Sequence, residues 1–247
     1  MPDRRATKRI IFVVISVIGL LGLANPIGRA APRSDGFIYL PLIARPKENP
    51  LHQGIATYYN ATGDGACMFG PSPADLMVAA MNAEEYNNAA YCGAFVEVYG
   101  PSGTLMVRIV DLCPECKAGH LDLSYEAFAK IADPVLGVVP ITWRVVSPAI
   151  SGPIAYHFKE GSNQWWTAVQ IRNHRNPIAK FEYWNGSQWM TVPRVSYNFF
   201  VQTNPGMGVG PYTFRVTDSY THTLTDSGIP FIEGGTINGA GQFPPGP

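Results

Sequence analysis

Beyond Pro153 the chain offers almost nothing that could make a helix. IAYHFKE, WWTAVQIRN, IAKFEYW, QWMTVP, YNFFV, YTFRVTD and THTLTDSG follow one another, each short, rich in β-branched or aromatic residues, and bounded by turn residues. A backbone interrupted so often can bury its apolar side chains only by stacking sheets, so this half predicts an all-β sandwich. Upstream, IATYY reads as a strand, AFVEVYG and TLMVRIVDL form a hairpin around Pro101-Ser102-Gly103, and ITWRVVS is a strand ending at Pro148. Helical material is confined to 74–90 (ADLMVAAMNAEEYNNAA), weakened by Asn87-Asn88, and to YEAFAKIA, which Ser124 can cap. The Ser-, Gly- and Pro-rich SPAISGP, residues 147–153, reads as a joint between two domains.

The first thirty residues have the form of a secretory signal. Arg4, Arg5, Lys8 and Arg9 precede the apolar run Ile10 to Leu23, and Gly28-Arg29-Ala30 offers small residues for cleavage. The run is short for a membrane span, which needs about 20 residues, so a soluble extracellular protein is expected, with no membrane contact in its mature form. Residues 31–51 form a proline-rich leader. Of the 18 basic and 18 acidic residues, the leading thirty hold five basic and one acidic, which leaves 13 and 17, a net charge of −4. A nucleic-acid partner is excluded on that balance, because phosphate binding wants a concentrated basic surface. Low charge with many aromatics suits a neutral polymer.

Four cysteines in an exported chain favour two disulfides, with Cys67–Cys92 and Cys113–Cys116 as the preferred pairing. The alternatives are a four-cysteine zinc site and a redox CPEC. Against redox work, the stretch after CPEC leads through Lys117-Ala118-Gly119 to Leu121 rather than into a helix. No metal or cofactor is expected.

Asp111 ends a strand and Asp122 precedes a short helix. Each could be a simple cap, Asp111 of the CPEC turn and Asp122 of the helix start. The functional reading puts both in one groove with Thr57 and Tyr59, as a polar floor for a polysaccharide. Hydrolysis by the usual route would need two carboxyls at a set separation. His120 reads as an exposed turn residue. The consecutive Trp165 and Trp166 cannot both enter the core of a regular strand, because neighbouring side chains point to opposite faces.

These segments carry a resemblance. GIATYY (54–59), GAC (65–67), MNAEEY (81–86), YCGAFVEVYGPSG (91–103), VRIVDLCPEC (107–116), LDLSYEAF (121–128) and ITWRVVSP (141–148) resemble the first domain of a microbial expansin, and KEGSNQWWTAVQIRNHRNPIAKFEYW (159–184) resembles the second. The resemblance implies a six-stranded double-psi β-barrel over 52–147, related to family 45 glycoside hydrolases. After a linker at 148–153 it implies an immunoglobulin-like β-sandwich over 154–233, a carbohydrate-binding module of the family 63 type. A disordered tail is expected over 234–247. Expansins loosen plant walls without detectable hydrolysis, by disrupting contacts between cellulose and matrix glycans. Thr57, Asp111 and Asp122 fall on family groove positions, Asp122 on that of the hydrolases' proton donor. Ala61 stands where those hydrolases carry their base, and Asp64 is displaced from it. Trp165, Trp166 and Tyr183 would form a flat row for glucosyl rings with Lys159 beside it, while Trp184 and Trp189 read as packing or rim residues.

The implied partners are cellulose and matrix glycans such as xyloglucan, with weaker pectin or peptidoglycan binding, and the expected state is a monomer. Pectin is ranked low because residues 45–147 hold 6 basic against 11 acidic residues. Rival functions on the same barrel are a weak endoglucanase, a peptidoglycan lytic enzyme, or a carbohydrate-binding protein without loosening activity.

Overall fold

The computed structural model describes residues 49–72 and 75–247, so the expected signal and nearly all of the leader lie outside it. The barrel comprises β1 (His52–Tyr59), β2 (Val78–Asn82), α1 (Ala83–Tyr86), β3 (Phe95–Gly100), β4 (Gly103–Cys113), β5 (Leu121–Ser124), α2 (Tyr125–Ile131) and β6 (Val139–Val146). Its six strands close in the order β1-β5-β2-β4-β3-β6, with β1–β5 and β2–β4 parallel and the other pairs antiparallel. Alternation sorts the side chains. Ala56, Ala79, Met81, Val96, Val98, Ile109, Leu121 and Leu123 fill the interior, where Trp143 donates its indole N–H to Gly119 O at 2.9 Å. Ser124 caps α2 as the sequence predicts, accepting from Ala127 N.

The region 74–90 departs from the helical expectation. Val78–Asn82 is a strand, and only Ala83–Tyr86 is helical. All five strand residues are buried between β4 and β5, and this demand outweighs the helix propensity of VAAMN. Asn82 then caps α1 by accepting from Glu85 N.

The second half comprises β7 (Ala155–Phe158), β8 (Trp166–Arg172), β9 (Ile178–Trp184), β10 (Trp189–Thr191), β11 (Phe200–Thr203), β12 (Tyr212–Asp218), β13 (Thr223–Ile229) and β14 (Thr236–Asn238). They make two four-stranded sheets, β10-β9-β12-β13 and β11-β8-β7-β14. One core lies between them, with Tyr156, Phe158, Phe181, Phe200 and Phe214 packed ring against ring. The all-β expectation holds for both halves.

The disordered tail expected at 234–247 is overturned. Thr236–Asn238 pairs with β7, Ile154 N donates to Gly241 O, and Phe243 sits in the sandwich core at 1% exposure. The Gly- and Pro-rich composition conceals one large apolar anchor, and that anchor holds the segment down.

Barrel and sandwich are tied together by buried polar groups. Gln170 and Asn198 both donate to Cys67 O, at 2.8 and 3.2 Å. Tyr86 donates to Ser196 O, and Arg194 to Ala89 O at 2.8 Å. Burial pulls the Arg194 guanidinium down to about 10. His174 is wholly buried against Gly93, where an added Cβ would stand 2.6 Å from its Nε2, so only glycine fits. Each such buried group would cost roughly 1–3 kcal/mol if its partner were withdrawn, so this junction resists opening.

Candidate functional site

The groove is built by strand register. Thr57 of β1 lies directly beside Asp122 of β5, Asp122 beside Ala80 of β2, and Ala80 beside Asp111 of β4. Directly paired residues share a face, so the four form one row across the barrel wall, turned away from the core residues Ala56, Ala79, Leu121 and Leu123. Asp111 reaches that face through a register shift between Ala79 and Ala80, where one extra residue on β4 re-aims it. Two strand spacings separate the backbones of Asp111 and Asp122, about 10 Å, with only the Ala80 methyl between them.

The two carboxyls are held differently. Asp111 Oδ1 accepts from Ala66 N at 2.7 Å and from Leu112 N at 2.8 Å, and so pins the 64–67 loop onto the strand end. Gly65 is required at that contact, because a Cβ there would lie 2.4 Å from Asp111 Cγ. Asp122 Oδ1 accepts from the Thr57 hydroxyl at 2.5 Å. Burial raises its pKa above the ordinary carboxylate value against the opposing pull of the Thr57 bond and His120, while Glu115 and Asp111 raise it further. Tyr59 completes the floor. Its hydroxyl is buried without a partner among the described residues, and burial, then Asp111 and Asp122, push its pKa up. Thr57, Tyr59, Asp111 and Asp122 therefore meet as the sequence predicts. Ala61 contributes no carboxylate, and Asp64 is an exposed loop residue whose Oδ1 accepts from Gly65 N.

Disulfides join Cys67 to Cys92 and Cys113 to Cys116, the preferred pairing. The second closes the turn between Asp111 and His120.

On the sandwich, Trp165 stands 69% exposed in the turn before β8. Trp166 begins β8 and is half-buried on its outer face, packing with Val195 and Tyr197 against Ala168, Phe199 and Val201. Lys159 is half-buried just after β7, its N–H bonded to Ala168 O on the same sheet. Tyr183 departs from the expected row. It is 5% exposed and lies in the inter-sheet core, because β9 alternation turns Phe181 and Tyr183 inward and Trp184 outward. Trp184 and Trp189 pair edge-on, 5.5 Å apart, on the outside of the opposite sheet, and Arg215 lies 4.3 Å above Trp189. Among the described residues, no group of three or more metal-ligating side chains converges.

Sequence comparison aligns the chain with Expansin-YoaJ of Bacillus subtilis (strain 168), 39% identical over 204 residues that cover 78% of this chain and 87% of the relative. The chain belongs to the expansin family. Among solved structures, the apo expansin of Clavibacter michiganensis superposes with a TM-score of 0.73 at 36% identity, covering 78% of this chain and 98% of that one. A point mutant of that expansin, solved in complex with cellohexaose, gives 0.74 at 35% identity with the same coverage. Residues 52–143 also match the family model described as lytic transglycolase.

Two residues escaped the sequence reading. His120 is no idle turn residue: it is half-buried, with Nε2 2.9 Å from Thr57 Oγ1. Its position two residues before Asp122, just ahead of β5, was the available signal, since i and i+2 share a face where the chain is extended. Tyr197, rather than Tyr183, is the tyrosine that shares the surface patch with Trp166. Nothing local in YNFFV marks it, because the contact is made between β8 and the approach to β11.

Proposed function

We propose that the mature chain is a secreted protein that binds cellulose and loosens plant walls by separating cellulose from matrix glycans without cleaving them. The observation carrying this reading is the asymmetry of the groove. Asp122, whose pKa burial raises above the ordinary carboxylate value, faces no free second carboxylate at the Ala61 position. Asp111 is occupied in holding backbone amides. An acid without a water-activating partner can hydrogen-bond a glycan oxygen and lacks the base that inverting hydrolysis needs.

The sandwich supplies affinity. In this reading Trp165, Trp166 and Tyr197 stack on pyranose rings and Lys159 reaches hydroxyls, which the exposure of Trp165 and the shared patch of Trp166 and Tyr197 support. Along the outer face of β8 the row Trp166–Ala168–Gln170–Arg172 runs from this patch to the barrel, where Gln170 and Arg172 meet the carbonyls of Cys67 and Met68. Trp166 to Gln170 spans about 13 Å of strand, so one glycan chain could touch both domains.

The test measures creep of heat-inactivated plant walls and reducing-sugar release in parallel. The wild type should extend walls without sugar release, and Asp122→Asn should abolish extension while cellulose binding stays within about twofold. Extension undiminished in Asp122→Asn, or steady oligosaccharide release by the wild type, would refute the reading. A second reading, lytic cleavage of peptidoglycan, is favoured by the family-model match over 52–143 and by the single acid, which suffices for a reaction that activates no water. Release of anhydromuropeptides would select it.

A further inference from the structure

With Asp122 ionised, the hydrogen bonds around it run in one direction. The Thr57 hydroxyl owns a single proton and donates it to Asp122 Oδ1 at 2.5 Å. The contact between Thr57 Oγ1 and His120 Nε2, at 2.9 Å, must then run the other way, with Nε2–H donating to the threonine oxygen. We infer that His120 is a positioning residue of the groove, which holds Thr57 as an obligate donor to Asp122 Oδ1 and so confines the exchangeable carboxyl proton to Oδ2. Among the described residues Asp122 Oδ2 has no hydrogen-bond partner, and it is not among the buried, unpaired atoms, so it opens to solvent. The inference rests on Asp122 being the acid of the groove and adds what controls its proton.

The surroundings hold this relay in place. His120 N donates to Lys117 O at 3.0 Å in the turn that follows the Cys113–Cys116 disulfide, and His120 O accepts from Asn82 Nδ2 at 3.3 Å. Asn82 also bonds Glu85, whose Oε2 takes Gly119 N at 3.0 Å. The backbone on both sides of the imidazole is thus fixed. The titratable groups facing the relay are Asp122 and Glu115 around His120, and Asp111, Glu115 and Tyr59 around Asp122. Burial is the larger influence on the imidazole and lowers its pKa against the pull of Asp122 and Glu115, which disfavours the imidazolium. A neutral imidazole has one N–H, and here it lies on Nε2. Thr57, freed of that donor, could instead accept a proton from Oδ1, and the acid would then point its hydrogen at the threonine rather than at a glycan.

Two measurements decide it. In the wild type, long-range ¹H–¹⁵N spectra at neutral pH should show His120 protonated on Nε2; the Nδ1–H tautomer would overturn the relay. In the variants, the Asp122 carboxyl is followed by ¹³C titration. His120→Ala should raise its midpoint, because a donor chain to the carboxylate and a nearby imidazole are both lost. His120→Gln, whose amide can donate from nearly the same place, should return the midpoint towards the wild-type value. Wall creep should follow the same order, several-fold weaker in His120→Ala and largely restored in His120→Gln, with cellulose affinity unchanged. A midpoint in His120→Ala equal to the wild type would sink the assignment, and a merely structural role would lower thermal stability without moving it. Should the protein fail to loosen walls while the tautomer and midpoints behave as stated, the function falls and the relay stands.

Discussion

Replacing three aromatics of the sandwich one at a time separates surface from core. Trp165 is 69% exposed, and an indole side chain buries up to roughly 250 Å² when covered, so about 170 Å² is free. A glycan stacks on one ring face and covers about half of that; at ~25 cal/mol per Å² this is worth about 2 kcal/mol. Trp165→Ala should therefore weaken cellulose binding about 30-fold with no change in melting temperature. Tyr197→Ala, at a half-buried position, should cost about 1 kcal/mol, or roughly fivefold. Tyr183→Ala should behave in the opposite way. Its ring lies in the inter-sheet core beside strand neighbours Phe214 and Met190, so truncation leaves a cavity worth about 3–5 kcal/mol. At ~2–4 °C per kcal/mol for a fold of this size, the melting temperature should fall by roughly 6–20 °C. Depletion isotherms on microcrystalline cellulose, read beside thermal melts, give both quantities. A Tyr183→Ala protein that melts like the wild type yet binds poorly would mean the tyrosine is a surface ligand after all and refute the assignment.

Two further outcomes follow from buried groups. Phe243→Ala removes a core ring from the terminal segment and should cost about 3–5 kcal/mol, seen as a lower denaturation midpoint; a midpoint equal to the wild type would mean the segment is not anchored there. His174 is buried neutral, its pKa lowered to about 4 mainly by burial, while Arg108 and Arg194 nearby disfavour the cation and Asn176 O accepts from Nδ1. Because the folded pKa lies below the unfolded value of about 6.5, its contribution is complete above that pH and is lost as pH falls towards 4, up to about 3 kcal/mol. Denaturation at pH 7 and pH 4 should show this loss in the wild type and a smaller one in His174→Asn, and equal losses in both would refute the role.

What the sequence makes legible is what period and chemistry encode locally. Alternation in AFVEVYG and TLMVRIVDL yields a hairpin, Ser124 caps its helix, and a set of four cysteines forms two disulfides. Asp111 and Asp122 were recognisable as a pair, although their shared row depends on parallel pairing and a bulge that no local pattern reveals. The misreadings have one cause, tertiary context. VAAMN became a strand because two neighbours bury it, and Tyr183 turned inward because Phe181 fixed the phase of β9. The closing glycines and prolines were ordered by Phe243, a single residue whose partners come from strands far back in the chain.

Wall loosening without cleavage, as proposed above, requires that binding be converted into displacement, and the junction bears on how that could occur. If the domains swung freely, aromatic stacking on one chain and a hydrogen bond from Asp122 to another would be satisfied independently, and neither would strain the glycan. Here Cys67 O is shared by Gln170 and Asn198 across the joint, Arg194 and Tyr86 reach over it, and the barrel side of that contact is the disulfide partner of Cys92. Cys67 N in turn donates to Val110 O at 3.0 Å, at the very bulge that aims Asp111 into the groove. The position of the aromatic patch and the shape of the groove are therefore set by the same few residues. A chain bound across both must conform to a fixed geometry, so stacking energy gained on the sandwich can be spent on bending or detaching the segment that reaches the acid.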